Sequence, residues 1–253
     1  LRNRRRAGER EDKGFDRIAG LPAVSALFAA APHRVERLFF NERAKAQVKA
    51  FCLKLAKAHK PYRLVTAEEM EKLAGTPMHG GVVAIAQPRP IRPFDAADAR
   101  SWARDGHLLL LLDGVGNPHN LGAIIRTAAF FGLPRAVLSD HPAQARPSDA
   151  SYRVAEGGFE YVQLYRAQQF AATLKELGKN YHVVGTAPGA RDPLSMLRPN
   201  DKPFALVLGN EEDGLPRSTL NACDDVVTIP RMGRIQSLNV AATAAILIFA
   251  LSQ

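Results

Sequence analysis

The sequence has little that would cross-link it, carry it through a membrane or hold a metal. Two of its 253 residues are cysteine, Cys52 and Cys223, far apart and without a C-x-x-C partner. That excludes a disulfide framework and predicts two reduced core thiols in a cytoplasmic protein. No His/Cys cluster has metal-ligand spacing, so no metal is expected. The longest uninterrupted apolar run, Ala244–Leu251, falls far short of the ~20 residues that span a bilayer, so no membrane association is expected either. The basic start LRNRRR leads into no apolar stretch and does not read as a secretory signal. The chain begins at Leu1 rather than at methionine, as a fragment or a processed chain would.

What is present is a core and an uneven charge. The chain is 46% hydrophobic and 23% charged, and its length suits one large or two small domains. Residues 1–92 hold 19 Lys and Arg against 9 Asp and Glu, whereas residues 93–253 hold 15 against 16. The whole excess of +9 therefore lies in the first third. A basic region beside a neutral one predicts capture of a polyanion in the first and chemistry in the second. A basic tail that merely aids solubility is the plainer alternative.

Residues 1–17 are charged and poor in apolar side chains, and are expected to be a disordered basic tail. Residues 18–87 read as a small α/β domain. Its expected parts are a helix at Pro22–Ala30, a strand at Val35–Phe40 and a long helix capped by Asn41. This helix exposes Lys45, Lys49, Lys54, Lys57 and Lys60. A strand at Tyr62–Val65, a helix opened by the Thr66/Glu69 capping box and a strand at Gly81–Ala86 complete it. Residues 88–106, opening on a proline-rich stretch, read as a semi-rigid linker. From 107 to 253 six apolar strands alternate with five helices, the pattern of a largely parallel sheet covered on both faces. Ligands of such sheets lie beyond the carboxyl ends of the strands.

Three of those ends carry unusual loops. In the first, the strand LLLLLD runs into GVGNPHN, and a helix opened by Asn120 carries Arg126. The second is LGNEEDGL, from Leu208 to Leu215. The third follows Ile229-Pro230 with a basic loop, and Ser237-Leu238-Asn239 opens an Ala-rich helix. Each has a plain reading, since glycine turns follow strands in any α/β protein and Asn120 and Ser237 suit simple caps. Gly114-Val115-Gly116 also approaches a dinucleotide-binding fingerprint, which makes a nicotinamide-dependent oxidoreductase the competing enzyme class. His119 stands where the third glycine belongs, and Pro118 removes a backbone donor from the turn.

The three loops together resemble the signature motifs of the SpoU/TrmH family of RNA ribose 2′-O-methyltransferases. The matching stretches are Asn117–Ile124 with Arg126–Ala128, Leu208–Glu211 with Asp213–Leu215, and Ile229-Pro230 with Ser237–Val240. The segment from Gly20 to HGGVVAI resembles, more weakly, the RNA-recognition domain of many members, itself similar to a class of RNA-binding ribosomal proteins. The resemblance implies an α/β fold with a trefoil-knotted C-terminal methyltransferase domain, preceded by a small ribosomal-protein-like RNA-binding domain. It implies S-adenosyl-L-methionine as cofactor, held by Gly209, Ile229 and Leu238 with Asn210, Pro230 and Asn239 as neighbours. It casts Arg126 as the catalytic arginine, with Asn120, Glu211, Ser237 and Asn239 orienting it and the ribose. It implies rRNA or tRNA as substrate and a homodimer as the working form. The apolar C-terminal helix suits either a dimer interface or core burial. A non-catalytic RNA-binding protein of the same fold is the alternative. The chain departs from the family at Glu212, where most members have glycine, which bears on loop geometry and substrate preference more than on reaction class.

Overall fold

The structure, a computed structural model, describes residues 14–190, 192–193 and 201–252. The chain forms β1 (Asp16–Ala19), α1 (Leu21–Ala30), β2 (Val35–Phe40), α2 (Lys49–Lys57), β3 (Tyr62–Leu64), α3 (Ala67–Ala74) and β4 (Val82–Ala86). Then come β5 (Arg92–Pro93), α4 (Ala96–Ala103), β6 (Leu109–Asp113), α5 (Pro118–Phe130), β7 (Arg135–Leu138) and α6 (Asp149–Ala155). The remainder is β8 (Gln163–Arg166), α7 (Phe170–Leu177), β9 (His182–Thr186), β10 (Asp192–Pro193), β11 (Phe204–Gly209), α8 (Arg217–Leu220), β12 (Asp225–Thr228) and α9 (Val240–Leu251). Two compact units result, one of residues 14–90 with Pro147–Glu160, the other of Ile91–Arg146 with residues 161–252.

In the first unit the sheet order is β1-β4-β2-β3, with β4 antiparallel to both neighbours and fully buried. The expected tail reaches less far than residue 17, because Asp16 and Arg17 pair with Ala86 and Ile85. The rest of that expected tail, residues 1–13, lies outside the described residues. Asn41 does not cap a helix that continues to Lys60. It opens a run of tight turns that buries Ala44 and Val48, and α2 starts only at Lys49. Arg43, Lys45, Lys49, Lys54 and Lys57 are exposed there, but the Lys60 ammonium turns inward to the carbonyls of His33 and Val35. The Thr66/Glu69 capping box forms as the sequence predicts.

Segment 147–160 belongs to this unit through a buried ionic cluster. Arg34 donates to both Glu160 oxygens at 2.9 Å and to Asp16 at 3.4 Å. Arg89 donates to Glu160 at 3.2 Å, and the Tyr152 hydroxyl donates to Asp16 at 2.7 Å. Burial, with Asp16 alongside, pushes the Tyr152 pKa well above the usual phenol range. Sequence patterning placed α6 among the crossover helices of the later domain. Long-range pairing of charges more than a hundred residues apart leaves no local periodic signal, so patterning could not see it.

The second unit is an eight-stranded sheet of order β10-β12-β9-β11-β6-β7-β8-β5, with every pairing parallel. Leu109, Leu111, Val137, Val183 and Val207 pack on one face with Trp102, Phe170 and Leu174. Their alternates Leu110, Leu112, Leu206 and Leu208 are equally buried and face the opposite side, where α9 packs on α5 and β11. The supposed linker 88–106 is not irregular. It supplies β5, an edge strand where proline costs no ladder bond, and α4, whose Trp102 ring lies tilted against Tyr165 at 4.7 Å.

Candidate active site

The three unusual loops all leave strand ends of the second unit. After β6, Asn117 rather than Asn120 caps α5: its side chain accepts from the His119 N–H, and Pro118 takes a first-turn position where no donor is lost. Asn120 is thereby freed to point elsewhere. Its amide donates to Glu211 Oε1 at 2.8 Å and accepts from Asn239 Nδ2 at 3.0 Å. Glu211 also receives the N–H groups of Gly116 (3.0 Å) and Asn117 (3.1 Å). A residue from each loop thus joins one chain, Asn239–Asn120–Glu211. Its polarity follows from the ends. An ionised carboxylate only accepts, so Asn120 turns its NH2 to Glu211 and its oxygen to Asn239. The Asn239 oxygen is already used to cap α9 by accepting from Ala241 and Ala242. Asn239, not Ser237, is therefore the cap of that helix.

The same contacts decide the dinucleotide question. The amides that would cradle a pyrophosphate at the start of α5 are committed to a carboxylate of the chain itself. Burial by itself would raise the Glu211 pKa. Hydrogen bonds from Asn120 and from the Gly116 and Asn117 amides outweigh it and hold the carboxyl below its usual range.

The second loop closes on itself. Asn210 and Gly214 exchange two backbone hydrogen bonds, and the Asn210 side chain accepts from Glu212 and Asp213 and donates to the Gly114 carbonyl. Gly209 must be glycine, since a Cβ there would lie 2.5 Å from Gly214 backbone. The left-handed residue is Gly214, at φ +71°, and among the described residues Glu212 is not one of the non-glycine positions with positive φ. The departure at Glu212 therefore strains nothing, and its side chain is exposed.

Gly209, Asn210, Glu211, Ile229, Pro230, Ser237, Leu238 and Asn239 line one cleft of about 1040 Å³, at the upper end of the roughly 300–1,000 Å³ typical of small-molecule sites. Residues 230–239 are exposed throughout. Thr186 at the end of β9 and Ala187–Gly189 after it complete the wall. Sequence reasoning missed them, although GTAPG at a strand end was the available signal. Asn120 and Arg126 are not part of the described lining. Arg126 stands on an exposed part of α5, about 9 Å along the axis from Asn120 and roughly 120° around it. The structure brings Asn120, Glu211 and Asn239 together and sets Ser237, but not Arg126, in the described lining of the cleft.

The cleft suits S-adenosylmethionine in kind. Ile229, Leu238, Val240 and Leu247 offer apolar walls for a purine. Loop backbone offers donors and acceptors, and Glu211, Glu212 and Asp213 offer negative charge to a sulfonium cation.

Comparison with known proteins agrees with this architecture. Residues 107–249 match the SpoU rRNA Methylase family, and residues 17–91 match the family described as RNA 2'-O ribose methyltransferase substrate binding. The chain is 34% identical over 236 residues to the 23S rRNA (guanosine-2'-O-)-methyltransferase RlmB of Acinetobacter baylyi, covering 91% of this chain and 94% of that protein. It is 32% identical to the enzyme of that name from Escherichia coli K12, covering 92% and 96%. Among solved structures, the AdoMet-bound rRNA methyltransferase of Sinorhizobium meliloti shares the fold with a TM-score of 0.78 at 23% identity, over 97% of this chain and 90% of that one. The SpoU methyltransferase AviRb of Streptomyces viridochromogenes does so with a TM-score of 0.71 at 20% identity, over 97% and 92%. The chain therefore belongs to the SpoU rRNA methylase family.

Proposed function

We propose that this protein methylates a ribose 2′-hydroxyl of 23S rRNA with S-adenosylmethionine as methyl donor. The observation that carries the reading is the Asn239–Asn120–Glu211 chain, which ties all three signature loops together at the edge of the cleft. Relatives matched over more than nine-tenths of this chain bear that activity in their names. The basic first unit recognises the RNA and the second carries the chemistry, and ribosomal RNA as substrate sets the work in the cytoplasm.

When bound, S-adenosylmethionine supplies an electrophilic methyl group on a sulfonium. The chain's own residues must hold the ribose hydroxyl in line with it and ease the loss of its proton. Glu211 stays ionised and anchors the loops, Asn120 and Asn239 present fixed dipoles, and Ser237 offers a hydroxyl at the rim. Arg126 is cast as an electrostatic clamp on the forming alkoxide or the adjacent phosphate, not as a base, because a guanidinium offers donors in a planar fork and no acceptor.

Methyl transfer from labelled cofactor to 23S rRNA, with mapping of the methylated ribose, tests the reading. Arg126→Ala should lower the rate about a hundredfold or more and leave cofactor affinity nearly unchanged. Arg126→Lys should be almost as poor at every pH, because it lacks the bidentate fork. Recovery of the lysine variant at high pH would instead assign a base. RNA binding without methyl transfer by the unaltered protein would leave an RNA-binding protein of this fold.

The working form is a homodimer in this reading. Phe130, Ile246 and Phe249 are 83%, 41% and 55% exposed on α5 and α9, where Phe131 bridges the Phe130 and Phe249 rings. Such a cluster marks an association surface. Light scattering should give twice the 27.5 kDa chain mass, and Phe130→Glu with Phe249→Glu should give the single chain. An unaltered protein that stays monomeric at micromolar concentration would refute the dimer.

A further inference from the structure

We infer that Gln144, in the loop after β7, is a positioning residue that aims the first signature loop at Glu211. The inference rests on the methyl-transfer reading, because that reading gives the Glu211 cluster its task.

The Gln144 side chain grips the loop like a strand partner. Its Oε1 accepts from the Gly114 and Val115 amides at 3.0 and 3.1 Å, and its Nε2 donates to the Val115 carbonyl at 3.2 Å. The Ala145 amide donates to that carbonyl at 2.9 Å. Val115 is fully buried, so its peptide groups depend on these partners rather than on water.

Gln144 is itself held in place. Its N–H donates to the His141 carbonyl at 3.0 Å, the His141 N–H donates to the buried Ser139 hydroxyl, and the Ala143 N–H donates to His141 Nδ1. The fit against the loop is close. Gly114 sits at φ +83°, and a Cβ on it would lie 3.0 Å from His141 Nδ1.

On its other side the loop is held by Asn210, which donates to the Gly114 carbonyl, and by Glu211, which takes the next two amides. Two glycines in three residues leave the peptide planes of this loop free to rotate. Rotation of the Val115–Gly116 peptide would swing the Gly116 N–H off Glu211. Gln144 fixes the planes on one side, so that the amides on the other converge on the carboxylate and, through it, on Asn120 and Asn239.

The test uses the full chain with 23S rRNA and two variants. Gln144→Leu keeps most of the volume and removes every side-chain hydrogen bond. Gln144→Glu keeps the acceptor for Gly114 and Val115 and loses the donor. For the leucine variant kcat should fall about tenfold to a hundredfold, the scale of a small misplacement of a reacting group, with KM for RNA within about twofold. Hydrogen exchange at the Gly114–Asn117 amides should quicken at least tenfold. The glutamate variant should recover part of both losses, and it carries the test alone if the leucine variant does not fold, through its own slower turnover and faster loop exchange. Leucine turnover within twofold of the unaltered protein, or loop exchange unchanged in both variants, overturns the positioning role alone. An unaltered protein that methylates no ribose overturns the reading beneath it, and the inference with it.

Discussion

Replacing Glu211 by alanine should slow methyl transfer about a hundredfold to a thousandfold, the scale seen when one fixed electrostatic partner is lost from a preorganised site. The loss has three parts. The Gly116 and Asn117 amides lose their acceptor, Asn120 loses the contact that orients it, and Asn239 keeps a partner in Asn120 whose own orientation is no longer fixed. The pH behaviour is a sharper check. A carboxyl with a depressed folded pKa contributes its stabilisation above the unfolded value of about 4.3, and that contribution is lost as pH falls through the folded pKa. The Glu211 carboxyl is held below its usual range, so between pH 5 and 8 its charge is constant. The pH–rate profile of the unaltered protein should show no acid limb from it there. Glu211→Gln retains the shape, but its NH2 cannot accept from a backbone amide, so that variant should sit close to alanine. Near-normal turnover in either variant would remove Glu211 from the site.

Glu160→Ala should cost about 3–5 kcal/mol of stability, the usual consequence of removing one member of a buried ionic cluster. Glu160 is 8% exposed and Arg34 6%, and the carboxylate answers both Arg34 and Arg89. Without it two guanidinium groups remain in a site that water barely reaches. Chemical denaturation followed by fluorescence should show a lower midpoint with little change in slope. Glu160→Gln, which keeps a hydrogen-bond acceptor, should recover part of the loss. A midpoint within experimental error of the unaltered protein would show that the cluster is solvated in solution. The cluster also bears on truncation: removing residues 1–86 takes Arg34 from Glu160, leaving it Arg89, and takes the Asp16 acceptor from the Tyr152 hydroxyl. That makes the cut a poor way to isolate the catalytic unit.

Much of this protein was readable in order along the chain. The parallel sheet of the second unit follows from apolar runs such as LLLLLD, which only a strand covered on both faces can bury. The helix starts follow from local chemistry, as at Thr66, where a hydroxyl and a carboxylate three residues apart satisfy each other's amides. The three signature loops stand out because asparagine, glycine and proline at strand ends serve turns and caps and still leave polar groups to spare.

Tertiary structure decided what depends on residues distant in sequence. Asn120 leaves the cap of α5 to Asn117 because its amide is used on Glu211, ninety-one residues on. Segment 147–160 joined the first unit because Arg34, Arg89 and Asp16 offered buried partners to Glu160 and Tyr152. Gln144 acquired its role because β7 lies beside β6 in the sheet. Local periodicity fixes which backbone a segment adopts. The pairing of polar groups across the sheet depends on which strand ends lie side by side, and no stretch of sequence contains that information alone.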